Sequence, residues 1–240
     1  MDINKGIDIK KEAAQWNIEI DDKMLSELST YADMMLEYNE KVNLTAITEE
    51  EEIKEKHFLD SISLIKSGKL TEGCSLIDIG AGAGFPSVPV KIARKDIELT
   101  MLDSLNKRVV FLQSVAEKLG FEKAQAIHLR AEDAGHDEAF REKYDIATAR
   151  AVADLAVLSE YALPFVKTGG YFIAMKSADV EEELESAKGA IKKLGGKTES
   201  VVSVILPSGI ERKLIIIKKI DKTQSAYPRK AGKPLKNPLK

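Results

Sequence analysis

The residues best suited to do chemistry lie in Asp78-Ile79-Gly80-Ala81-Gly82-Ala83-Gly84-Phe85-Pro86. Three glycines alternate with small residues directly after a short apolar run, and Pro86 suits the first turn of a helix. Glycine permits backbone angles barred to other residues and lets a ligand approach the main chain closely. Between a strand and a helix, such a turn sits at the carboxyl end of the strand, where open α/β sheets bind ligands. A dinucleotide pyrophosphate calls for G-x-G-x-x-G. Here Phe85 occupies the third glycine's place, and its bulk is expected to crowd a pyrophosphate. Asp103 ends a second apolar run, and a carboxylate there accepts hydrogen bonds from both hydroxyls of an adenosine ribose. Nicotinamide enzymes also carry an acid at this point, so Asp103 alone does not choose. The glycine turn with Asp103 reads as a site for an adenosine-containing cofactor, with a structural tight turn as the alternative.

The elements that must position these residues follow from periodicity. Residues 21–41 read as an amphipathic helix with Asp21 as N-cap. The acidic run Glu49–Glu52 opens a second helical stretch through His57 and Ile62, where acids suit the helix dipole. No strand is expected before about residue 70. Short apolar runs follow at 75–79, 98–103, 124–129, 144–149 and 171–175, with helical stretches between them, most clearly at 105–119 and 153–161. That alternation predicts a doubly wound, Rossmann-like α/β sheet. Asp179 is expected to cap a helix running to about Leu194. Two β-rich runs, 198–206 and 211–217, flank Pro207-Ser208-Gly209-Ile210 and should pair as an antiparallel hairpin. A parallel sheet extended by such a hairpin resembles the seven-stranded sheet of class I S-adenosylmethionine-dependent methyltransferases. The division expected is an N-terminal helical extension over 1–70, a methyltransferase domain over 71–220 and a basic C-terminal tail over 221–240.

Composition narrows the setting. The chain has 240 residues with 44% apolar and 31% charged, as in globular proteins. One cysteine, Cys74, excludes an internal disulfide and fits a cytoplasmic protein. No apolar run approaches a membrane span, the start of the chain lacks the apolar core of a signal peptide, and a monomer is expected. The formal net charge of −3 argues against a nucleic-acid partner only as an average. From Lys213 to Lys240 there are nine basic residues and one acid, so this segment carries +8 and the rest −11. The pattern reads as a basic arm on an acidic body, or as a solvated tail.

Two more positions fall at carboxyl ends of expected strands: Ala131-Glu132 after the third and Arg150 after the fourth. Glu132 also suits a helix N-terminus, and Arg150 a structural ion pair. The spacing D-x-G-x-G-x-G looks like the first motif of methyltransferases. Over nearly its whole length the chain resembles the glucose-inhibited division protein B family of ribosomal RNA small-subunit methyltransferases. The residues carrying this are Tyr38–Thr45, His57-Phe58-Leu59-Asp60-Ser61, Asp78–Pro86, Leu102-Asp103-Ser104, Arg130-Ala131-Glu132, Thr148-Ala149-Arg150-Ala151 and the ending Tyr227–Leu239. The resemblance implies transfer of a methyl group from S-adenosylmethionine to N7 of a guanine in 16S ribosomal RNA, as free RNA or in the small subunit. It places the cofactor at Gly80, Gly82, Phe85, Asp103, Ala131, Glu132 and Arg150. Lys233 and Ser177 depart from the family pattern, which has a small hydroxyl residue and a glycine there.

Guanine N7 carries a lone pair and no proton, so attack on a sulfonium methyl needs in-line alignment more than a general base. The transfer rate is then expected to stay nearly flat from about pH 6.5 to about pH 8.5. Cytosine C5 methylation would need a cysteine near the carboxyl ends of the strands, but Cys74 precedes the first. Methylation of exocyclic amines commonly uses an Asn/Asp-Pro-Pro-aromatic loop, where this chain has Ala149-Arg150-Ala151-Val152. Arg150 is expected to orient cofactor or base, with Lys176 as a second donor. Arg229, Lys230, Lys233 and Lys236 are expected to contact RNA phosphates, with the prolines keeping the tail extended. Deleting 225–240 should then weaken RNA binding and spare the cofactor. No metal is expected: His57, His128 and His136 lack ligand spacing. The alternatives are methylation of another RNA, a protein or a small molecule, and a non-catalytic RNA-binding module.

Overall fold

The computed structural model describes every residue except Asp2, Ala151 and Val152. The last two belong to the loop after Arg150, and that part of the loop lies outside the described residues.

Helix α1 (Ile9–Ala14) precedes α2 (Asp22–Asn39), which Asp21 caps by accepting from the Met24 N–H at 2.7 Å, as its position predicts. Helix α2 buries Leu25, Leu28, Tyr31, Ala32 and Met35, a stripe at helical spacing. The acidic run forms α3 (Glu50–Glu52). The chain continues without a break through a π-helical stretch (Ile53–Leu59), α4 (Asp60–Ile62) and a 3-10 turn (Ser63–Ser67). A π-helix carries an extra residue per hydrogen-bonded turn and is most often found beside functional sites.

The alternating part follows the expected order. It comprises β1 (Ser75–Ile79), α5 (Ser87–Ala93), β2 (Glu98–Asp103), α6 (Asn106–Lys118), β3 (Ala124–His128), α7 (Ala131–Ala134), β4 (Tyr144–Arg150) and α8 (Leu155–Ala162). Then come β5 (Val166–Ser177), α9 (Glu181–Lys193), β6 (Gly196–Ile205) and β7 (Glu211–Lys219). Among the described residues seven strands form one sheet in the order β3-β2-β1-β4-β5-β7-β6. The first five run parallel, and β7 enters antiparallel between β5 and β6. This is the class I methyltransferase sheet. Because β1 has β2 on one side and β4 on the other, the direction of winding reverses there, and a crevice opens at the carboxyl ends of these strands.

A parallel sheet must be covered on both faces. On one face Leu28, Tyr31 and Phe58 from the N-terminal helices share one apolar cluster with Leu76, Met101 and Phe111. On the other, Ile77, Leu102 and Phe172 pack with Leu158 and Ile191. The helices before residue 70 thus complete a layer of the fold. Cys74 is a buried residue ahead of β1, and burial pushes its thiol up to about 11.

Two expectations fail locally. Asp179 does not cap α9. The helix starts one residue later, from Val180, which is buried, and Glu181 accepts from the Val180 N–H. Nor is the C-terminal segment an extended tail. Arg141 donates to the carbonyls of Gly135, Thr223, Gln224 and Tyr227 at 2.6 to 3.1 Å, gathering the chain back onto the body. Pro228, Pro234 and Leu239 are buried, and 233–236 form a short helix, α10 (Lys233–Lys236). Prolines expected to hold the segment open instead pack it as a strap.

Candidate active site

The turn after β1 holds Gly80, Gly82 and Gly84 at φ of +72°, +61° and +100°, all in the left-handed region. At Gly84 space matters as well: a Cβ would come within 2.6 Å of Val88 Cγ2 and 3.0 Å of the Tyr31 hydroxyl. The Gly82 N–H donates to Asp103 Oδ2 at 2.9 Å, and the Leu105 N–H to Asp103 Oδ1 at 2.8 Å. Asp103 therefore fixes the turn while Oδ1 keeps a lone pair for a ligand, and Arg108 Nη1 stands 3.6 Å from Oδ2.

Gly80, Asp103, Ala131 and Glu132 line one cavity of about 190 Å³, bringing together four of the residues expected to bind cofactor. Tyr161, Gly232 and Leu235 also line it, and no pattern in the sequence marks them for that role. Gly82 contributes through Asp103. Phe85 does not crowd the cavity: its buried ring stacks on His57 at a centroid distance of 4.1 Å and packs against Tyr31 at 5.4 Å. Two residues before Gly80, the Asp78 carboxyl is wholly buried, with the Ser87 hydroxyl and N–H as its polar neighbours outside good hydrogen-bond geometry. Burial pushes Asp78 up to about 7. A buried carboxylate beside a glycine turn, with a second acid at the end of β2, fits a ligand that carries a cationic group and a ribose diol. S-adenosylmethionine has both.

A second cavity, about 470 Å³, opens at the carboxyl ends of β4 and β5 and contains Arg150. Its wall comes from three distant parts of the chain: Lys56, His57 and Asp60 of the N-terminal helices, Lys176 of β5 and Arg212 of β7. Arg150 Nη1 donates to the Lys56 carbonyl and to Asp60 Oδ2, each at 3.0 Å. Its Nη2 lies 3.3 Å from His57 Nδ1, and its guanidinium lies 4.9 Å from the Phe85 ring centre. Burial, with the Arg150 charge, lowers His57 to about 3, so the ring is neutral. With Nδ1 accepting from Arg150, Nε2 carries the proton and donates to Thr45 Oγ1 at 2.9 Å. Asp60 lies between Arg150 and Arg212, and burial raises its pKa against both charges. Lys176 is tied to the Ala153 carbonyl at 2.7 Å and to Glu183 at 2.6 Å, which occupies two of its three donors.

The tail residues divide. Arg229 makes a bidentate ion pair with the buried Glu160, at 2.8 and 2.6 Å, and its N–H donates to the same carboxylate. Its Nε and Nη2 thereby hold the strap to α8. Lys230, Lys233 and Lys236 stay exposed and form no ion pair among the described residues. The strap's inner side belongs to the cofactor cavity through Gly232 and Leu235, so deleting 225–240 removes a wall of that cavity. His57 and Asp60 had a visible signal in the His-Phe-Leu-Asp sequence, whereas Arg212 had none.

Comparison with known proteins agrees with this geometry. The profile of the GidB family, described as rRNA small subunit methyltransferase G, matches residues 24–215. The ribosomal RNA small subunit methyltransferase G of Alkaliphilus oremlandii (strain OhILAs) is 54% identical over 235 residues, covering 97% of this chain and 98% of that protein. That of Thermoanaerobacter sp. (strain X514) is 48% identical over 238 residues, covering 98% and 99%. Among solved structures, a 16S rRNA adenine N1-methyltransferase from Catenulisporales acidiphilia is similar with a TM-score of 0.53 at 14% identity, covering 66% of this chain and 90% of that one. At that identity the likeness speaks for the fold alone.

Proposed function

The chain belongs to the GidB family of rRNA small subunit methyltransferase G proteins, and from that premise we propose that it methylates N7 of a guanine in 16S ribosomal RNA. S-adenosylmethionine supplies an electrophilic methyl group on sulfur. The observation that carries the reading is the pairing of two cavities: one with Asp103 and the glycine turn, the other with Arg150, Lys56 and Arg212. Asp103 would accept from the ribose hydroxyls, Asp78 would face the cofactor's ammonium group, and Ala131 and Glu132 would border the adenine. Phe85 would act through Arg150, whose charge its ring supports.

The basic cavity would take the acceptor base. A-form RNA hides its major-groove edge, so the base must enter unstacked. His57 is neutral with both ring nitrogens engaged, so it is not set up as a general base. An acceptor atom that carries a lone pair and no proton needs none. Lys230, Lys233 and Lys236 on the outer side of the strap would meet RNA phosphates. The protein acts where ribosomal RNA is made and assembled, the cytoplasm, and no described helix is long and apolar enough to cross a membrane.

The test is transfer of labelled methyl groups to unmodified small subunits and to their purified RNA, followed by nuclease digestion. Label recovered in 7-methylguanosine from one site supports the proposal. Label in another nucleoside, or in protein, refutes it.

A further inference from the structure

Each cation around the larger cavity has a different commitment. Arg150 spends Nη1 on the Lys56 carbonyl and Asp60, and Nη2 on His57, with its face on Phe85. Lys176 is held by Ala153 and Glu183, and Lys56 pairs with Glu52. Arg212 differs. Its Nε lies 3.5 Å from Asp60 Oδ1, its Nη1 makes only a 3.5 Å contact with the Glu211 carbonyl, and Nη2 has no partner among the described residues. It is partly exposed, lines the cavity, and faces Asp60 as an ion pair while Nη2 stays uncommitted.

Guanine and adenine share N7 and differ beside it: guanine carries the acceptor O6, adenine the donor N6. An enzyme that alkylates N7 must leave that atom uncovered, so bidentate arginine recognition of O6 with N7 would block the reaction. A guanidinium ion-paired through Nε with Asp60, and with Nη1 turned to the Glu211 carbonyl, has Nη2 left for one acceptor. We propose that Arg212, positioned by Asp60, donates to O6 of the acceptor guanine and so sets the choice of guanine over adenine. Asp60 is then a positioning residue that keeps Arg150 and Arg212 apart and aimed. This rests on the reading of the activity as guanine N7 methylation.

The experiment uses the full chain with saturating S-adenosylmethionine and small-subunit RNA in which the mapped target guanine is replaced by inosine or 2-aminopurine. Inosine keeps O6 and lacks the exocyclic amine, whereas 2-aminopurine lacks O6. The expected wild-type result is transfer to inosine within a few-fold of guanine and a loss of roughly 10- to 100-fold on 2-aminopurine, the range of a charge-assisted hydrogen bond. Arg212→Met should lose a similar factor on guanine and almost nothing further on 2-aminopurine, with Arg212→Lys recovering part. Affinity for S-adenosylhomocysteine, measured by calorimetry, should not change in either variant, which shows that the fold is retained. Equal losses of Arg212→Met on guanine and 2-aminopurine would assign the side chain to a phosphate and overturn the proposal. So would an unchanged rate on guanine. Wild-type protein that labels no guanine N7 would instead remove the underlying activity.

Discussion

The Gly232 N–H donates to Glu132 Oε1 across 3.1 Å, joining the C-terminal strap to the short helix that borders the cofactor cavity. Leu235, three residues on, is 59% exposed yet lines the same cavity. One segment therefore walls this cavity through Gly232 and Leu235 and carries the exposed Lys230, Lys233 and Lys236. Leu235→Asp, at an exposed position, should leave stability almost unchanged and weaken S-adenosylhomocysteine binding by roughly 3- to 10-fold, through lost apolar contact. Replacing the three lysines by alanine should leave that affinity alone and flatten the salt dependence of RNA binding. Calorimetry and a salt series separate the effects. An unaltered cofactor affinity in Leu235→Asp would remove the strap from the site.

Asp78 is expected to give the cofactor affinity a pH dependence. Its pKa, about 7 in the folded protein against 3.8 ordinarily, makes the folded chain bind the extra proton between those values. Without a ligand, stability from this group is present at low pH and lost as pH rises toward 7. Asp78→Asn should thus raise the melting temperature at pH 8 by several degrees and change it little at pH 4. It should also weaken S-adenosylmethionine, whose ammonium would favour the ionised acid. Cofactor affinity of the wild type should tighten from about pH 5.5 to about pH 7 and stop tightening above it, as the cofactor's α-amino group loses its proton near about 7.7–8.0, while transfer at saturating cofactor stays nearly flat. Scanning fluorimetry and calorimetry across this range check both; a pH-independent affinity contradicts the pairing.

The parts legible in the sequence are those encoded locally. Asp21 caps α2 because its carboxylate needs only the N–H of Met24, and the turn of Gly80, Gly82 and Gly84 with Asp103 is written in adjacent strands. The basic cavity is different in kind. Asp60, Arg150 and Arg212 come from a helix and two strands far apart in the chain, and only the sheet order brings them together. Charge counting located the cations of the C-terminal segment but could not say which would find a buried partner. Arg229 did, and Lys230 beside it did not. Nor does proline spacing reveal whether a segment is extended in water or packed, because Arg141 decides that from nearly ninety residues away.

His57 should make the protein acid-sensitive. Its pKa of about 3 in the folded state lies below the ordinary 6.5, so between these values the unfolded chain binds more protons. The stability it contributes is complete above pH 6.5 and is lost as pH falls toward 3, at up to about 1.4 kcal/mol per pH unit. Asp78 acts with the opposite sign over part of this window, so the wild-type curve alone does not isolate His57. The difference between wild type and His57→Gln does. The advantage of the wild type in urea unfolding should be largest near pH 7 and shrink steadily by pH 4.5. A constant difference would mean that His57 is not held neutral by Arg150 and burial.

The Glu160–Arg229 pair separates a structural arginine from an RNA-binding one. Glu160 is fully buried, and its carboxylate accepts only from the backbone and side chain of Arg229 in the hydrogen bonds that hold the strap. Removing one member of such a pair leaves an uncompensated buried charge, which costs about 3–5 kcal/mol, whereas an apolar pair of similar volume restores much of it. Arg229→Met should therefore lower the melting temperature by roughly 6–20 °C, given about 2–4 °C per kcal/mol in a chain of this size. Adding Glu160→Leu should recover most of that loss. If Arg229 instead served chiefly to grip RNA, Arg229→Met would melt like the wild type and bind RNA less tightly. Thermal unfolding of the single and double variants, with RNA affinity measured on the double variant that retains the fold, distinguishes the two. The double variant should bind RNA within about two-fold of wild type, while loss of Lys230, Lys233 and Lys236 reduces binding at unchanged melting temperature.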